Sequence, residues 1–201
     1  MKLQSLRERL GTLLVVALTA LAGSASTASA ATPTRFTIVD SSPTSWVARG
    51  YDNYTVDPGV GWNFTASGGG STVRIFASGS PLPGTSVDYW DITFDAPDNS
   101  PLTPGVYPNF QRYPFNDPGR PGVSFSSTGR LDNMAAGTFR VWEITYGLSN
   151  QIASFAADFT HYGETNINNY AIAQVRFNSF APEPASLAAL AASSLLLLRR
   201  R

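Results

Sequence analysis

The sequence predicts an all-β protein, an antiparallel β-sandwich of jelly-roll type with about eight to ten short strands, a barrel being the alternative arrangement. Three observations lead there. Apolar residues alternate with polar ones over short runs, Gly and Pro turn signals separate the runs, and no convincing helical period occurs between the two chain ends. The composition agrees, with 12% aromatic residues, 14% charged residues and no cysteine. Stability must therefore come from packing rather than from disulfides.

Residues 1–30 read as a secretory signal peptide. Lys2, Arg7 and Arg9 outweigh Glu8, the stretch from Leu13 to Ala22 is apolar, and Ala28-Ser29-Ala30 supplies the small residues a signal peptidase needs. Cleavage is expected after Ala30, leaving residues 31–181 as one β domain.

Within that domain the runs RFTIV (from Arg35), GWNFTA (from Gly61) and STVRIFA (from Ser71) are the first strand candidates. DYWDITFD is the clearest, because Trp90, Ile92 and Phe94 alternate with Asp91, Thr93 and Asp95. GVSFS (from Gly122) follows. In TFRVWEITY, Phe139 and Val141 share one face, then the phase shifts to Ile144 and Tyr146, which predicts a β-bulge near Trp142 and Glu143. IASFAADF, with Phe155, Ala157 and Phe159 in phase, and YAIAQVRFNS, with Val175 and Phe177, complete the set. Turns are expected at Asp57–Gly59, Ser67–Ser71 and Asn116–Gly122, and one helical turn within LDNMAAG.

The domain holds eight arginines and twelve carboxylates, a balance of −4, and the only lysine of the chain is Lys2. No footprint for nucleic acid results. The inventory for catalysis is thin. His161 is the only histidine, thiolate and lysine chemistry are missing, and no Gly-x-Ser-x-Gly elbow is present. His161 reads as a loop or strand-end residue. Glu143 and Glu164 are the domain's only glutamates and the remaining pair that glycoside hydrolysis could use, but they read better as a strand residue and a loop charge. The expectation is a non-catalytic protein without a cofactor. Calcium fits better than zinc, since the loop DAPDNS at Asp95–Ser100 offers hard oxygen ligands, although its spacing matches no EF-hand.

Binding has a more concrete candidate. WVARGYDNYTVDPGVGWNF mixes Trp46, Tyr51, Tyr54 and Trp62 with Asp and Asn, the residue types that stack on and hydrogen-bond to sugars. The competing expectation is that Trp62 and some of the tyrosines fill the core.

The tail, residues 182–201, begins Pro182-Glu183-Pro184, continues through an apolar stretch from Ala185 to Leu198, and ends in Arg199, Arg200 and Arg201. A helix of that stretch reaches about 21 Å against a hydrocarbon core of about 30 Å, with the arginines able to snorkel on the cytoplasmic side. This arrangement resembles the PEP-CTERM sorting signal of Gram-negative bacteria that make extracellular polysaccharide. The resemblance implies transient anchoring in the inner membrane, recognition of Pro-Glu-Pro by an exosortase-type membrane protease, removal of the tail, and delivery to the cell surface or extracellular matrix. Polysaccharide would then be a natural partner.

A second resemblance runs from about Leu102 to Ser179. LTPGVYPNFQRYPFNDPGRPGVSFSSTGRLDN, GTFRVWEITYG, FAADF and VRFNS are similar to a domain found in many exported bacterial proteins. Asp132 and Tyr162 stand where relatives carry cysteines, so the resemblance implies that the two elements are neighbours in space.

Overall fold

Strand alternation is realised almost run for run in the computed structural model, which describes residues 33–80 and 88–181. The expected signal helix and tail helix lie outside the described residues. The strands are β1 (Arg35–Ser41), β2 (Tyr54–Val56), β3 (Trp62–Gly69), β4 (Thr72–Gly79), β5 (Asp88–Asp95), β6 (Gly105–Arg112), β7 (Gly122–Ser127), β8 (Arg130–Leu131), β9 (Ala135–Tyr146), β10 (Ile152–Gly163) and β11 (Tyr170–Phe177). The expected helical turn in LDNMAAG is absent, because Ala135 already begins β9 and pairs with Gly163.

All eleven strands belong to one sheet in the order β2-β1-β11-β10-β9-β6-β7-β5-β4-β3, with β8 attached to β7. The wholly antiparallel expectation needs correction. β6 and β7 run parallel through Gln111↔Gly122 and Arg112↔Val123, so the sheet is mixed. That short parallel seam joins two halves, and the sheet curls about it so that the halves face each other and nearly close.

Ring contacts fill the space between the halves. Phe94 on β5 lies 5.2 Å from Phe139, 5.4 Å from Phe155 and 5.6 Å from Phe159, which come from β9 and β10. Phe36 on β1 meets Trp90 at 5.1 Å, and Trp90 stacks on Phe125 at 5.7 Å. Tilted and T-shaped pairs of this kind add to the gain from burying the rings.

The bulge expected near Trp142 is present. Ala156 faces Glu143 while Ala157 faces Val141, which leaves Trp142 as the extra residue. Its displacement lets Trp142 Nε1 donate to Asp158 Oδ2 at 2.6 Å. The other carboxylate oxygen of Asp158 lies 2.8 Å from Nη1 of Arg176, a fully buried guanidinium. Arg176 Nη1 also donates to the carbonyls of Ala157 and Val175, and Arg140 lies 3.7 Å above the Trp142 ring.

Both ends of the described domain meet. Ser179 N donates to Pro33 O at 3.2 Å, and Thr34 exchanges hydrogen bonds with Asn178. Ser179 Oγ donates to Glu143 Oε2 at 2.6 Å, and Ala181 N donates to Ser179 Oγ at 3.1 Å.

Because Phe94 touches three rings of the opposite half, Phe94→Ala is expected to destabilise the fold by about 3–5 kcal/mol. Urea unfolding would read this, and a loss below about 1 kcal/mol would contradict the role given to Phe94.

Candidate functional site

The segment between β1 and β2 shows why some aromatic residues point outward. Ser45 accepts from Ala48 N through Oγ and from Arg49 N through its carbonyl, forming one tight turn. Val47 and Ala48 are fully buried and anchor it, so Trp46 is driven out and remains 54% exposed, with Arg49 5.4 Å from its ring. Tyr51 and Tyr54 stack on each other at 4.5 Å, and both contact Trp90. These two rings are partly engaged with the core, and burial raises the Tyr54 hydroxyl pKa above its usual value. Trp62 departs from the sugar-binding expectation. It is only 3% exposed, and a β-carbon on its partner Gly79 would lie 2.8 Å from its ring. The missing side chain at Gly79 makes room for Trp62 as a core residue.

The two glutamates do not form a catalytic pair. Glu143 pairs with Ala156, whereas Glu164 follows Gly163, so at least seven steps of β10 separate them, about 24 Å. Glycosidase carboxylates stand about 5–9.5 Å apart. Each has a local task instead. Glu143 accepts from Ser154 and Ser179, and Glu164 Oε1 accepts from Asn133 N at 2.6 Å.

His161 sits near the end of β10, as expected, but points into the core between Phe110 and Phe125. It is 1% exposed, and Asp132 beside it is 4% exposed, with 3.9 Å from His161 Nδ1 to Asp132 Oδ2. That separation is too long for a hydrogen bond, and neither atom has another partner. Burial holds the imidazole down to about 4, while burial and the nearby Glu164 charge push the Asp132 carboxyl up to about 6. The residue facing Asp132 is Gly163 rather than Tyr162, since a β-carbon on Gly163 would lie 2.5 Å from Asp132 Oδ2. Tyr162, one residue earlier, points to the opposite side of the sheet. The two elements are neighbours as expected, but the facing position is one residue further along.

The loop DAPDNS borders a cavity of about 340 Å³ lined by Asp95, Asp98, Asn99, Tyr113 and Asn116. Asp95 Oδ2 accepts from Asn116 Nδ2 at 3.1 Å. Among the described residues no three His, Cys, Asp or Glu side chains gather as a metal-ligand group. The lining offers the oxygens of two carboxylates and of the Asn99 and Asn116 amides, hard donors of the kind calcium takes, without gathering a third carboxylate.

Among the described residues no helix is long and apolar enough to cross a membrane. Pro182, Glu183, Pro184, Arg199, Arg200 and Arg201, like Ala28 and Ala30, lie outside the described residues. No protein-family profile, curated protein or solved structure matches the chain.

The buried pair predicts an unusual pH response. Asp132 binds its proton more tightly in the fold, so its contribution to stability falls as pH rises from about 4 to about 6. His161 binds its proton less tightly in the fold, so its contribution rises from about 4 to about 6.5. In the wild type the two slopes oppose each other. In Asp132→Asn, stability should climb by about 3 kcal/mol between pH 4 and 6.5, at 1.36 kcal/mol per pKa unit. Urea midpoints at three pH values test this, and a variant profile parallel to the wild type would refute it.

Proposed function

We propose that the protein is an exported, non-catalytic component of the cell surface or extracellular matrix, sorted and processed through its C-terminal segment. The observation that carries this reading is the way the fold ends. Glu143 and Pro33 pin Ser179, and the Pro182-Glu183-Pro184 corner follows immediately after Ala181. An element resembling a protease recognition motif thus begins three residues after the Ser179 anchor. The partners implied are signal peptidase at Ala28–Ala30 and an exosortase-type membrane protease at the Pro-Glu-Pro corner. The residues named there are substrates of other proteins' chemistry. Separation of Glu143 from Glu164, and the burial of His161 behind two rings, support the non-catalytic part.

A second reading, carbohydrate binding, is favoured by the exposure of Trp46 with Arg49 beside it.

The intact mass of the protein recovered from its own cells tests the first reading. The expected mass lacks residues 1–30 and the segment from near Pro182 onward. A mass that retains Arg201 would sink the processing claim.

A further inference from the structure

Two cavities on the outer face of β6 and β9, of about 230 and 370 Å³, share Gln111, Ala135 and Thr165 and therefore form one groove. Register explains its floor. Ala136 pairs with Gln111 on one side and with Tyr162 on the other, so a methyl group lies between two long side chains on one face. A bulge shapes the rim. The β6–β9 register jumps between Pro108 and Phe110, leaving Asn109 as an extra, exposed residue at φ 56° lining the groove.

The lining is chemically one-sided. Its charged members are Arg112 and Arg120, and no carboxylate lines either cavity. The cavity at Asp95 and Asp98 shows the reverse, with no cation in its lining. In a domain with a net charge of −4, two of the eight arginines thus face one groove. Two carboxylates bonded to lining residues, Asp117 to Gln111 Nε2 at 2.9 Å and Glu164 to Asn133 N, keep their charge but do not line the cavities themselves. Arg112 is oriented by its bond to Asn133 O and by Phe115, 4.9 Å away. Tyr162 is half-buried, lines the groove and takes part in none of the ring pairs among the described residues, unlike the mutually stacked Tyr51 and Tyr54.

We propose that this groove binds an acidic polysaccharide, a chain of sugars bearing carboxylates. Tyr162 stacks against a sugar ring, Asn109 and Thr138 meet its hydroxyls, and Arg112 and Arg120 meet the carboxylates. Two cations in a net-acidic domain suit such a sparsely charged polymer and not a nucleic acid, whose phosphates follow one another about every 1.7 Å of duplex. The proposal stands apart from the sorting reading. With the second reading it shares only the class of ligand, because it moves the site away from Trp46.

The test is titration of the full-length protein with alginate oligosaccharide, with dextran as the neutral comparison. Alginate binding that weakens with salt, and weakens about tenfold or more in Arg120→Gln, is the expected result. Ala136→Leu, which fills the trough, should remove binding, and Trp46→Ala should leave it intact. Arg120 is exposed, so its variant keeps the test decisive even where Ala136→Leu does not fold. Failure of the wild type to bind alginate, equal binding of dextran, undiminished binding by Arg120→Gln, or loss in Trp46→Ala would each overturn the proposal.

Discussion

The contact of Phe94 with Phe139, Phe155 and Phe159 is the constraint on which the rest of the molecule depends. One continuous sheet has no interior until it folds over itself, and these rings hold its two halves together. Alternation along β5 aims Phe94 inward, while the long β9–β10 pair supplies the three opposing rings. The outer face of β9 and β10 can then be polar because the inner face carries the cohesion. The groove over Ala136 and the bulge at Trp142 both belong to that outer face.

A domain without cysteine still buries charge, and it does so in two different ways. Arg176 is neutralised by Asp158, which also accepts from the bulged Trp142, so one carboxylate organises two strands' side chains. Removing one member of such a pair is far more costly than replacing both. His161 is instead kept neutral by burial, and the Asp132 carboxyl beside it gives up its proton only as pH rises through about 6, without a hydrogen bond between them. The first arrangement ties the bulged Trp142 to β11 through Asp158. The second occupies the space left by Gly163, so a polar side chain and an absent one together fill what a pair of larger residues would fill elsewhere.

Eight of the strands were legible in alternation alone, and the shift of phase in TFRVWEITY located the bulge. Three strands were not legible, for reasons visible in their residues. β2 and β8 are too short to show a period. β6 contains Pro108, which argues against a strand, and the extra residue Asn109, which breaks its alternation. Pro108 is tolerated because β6 meets β7 only at Gln111 and Arg112, leaving that side of the strand unpaired at Pro108. The site was harder to read. A cluster of rings in one segment suggested joint exposure, yet Trp62 was drawn inward by Gly79, seventeen positions away, while Val47 and Ala48 forced Trp46 outward. The groove gathers Gln111, Ala136 and Tyr162 across three strands, and only the register brings them into one row.

The meeting of Pro33 with Ser179 places the start of β1 beside the end of β11, two antiparallel neighbours. A pull that separates these ends loads the β1–β11 ladder one hydrogen bond at a time, as a zip, instead of shearing all its bonds together. Such a domain resists little when stretched between its ends but feels no such load when held by one of them.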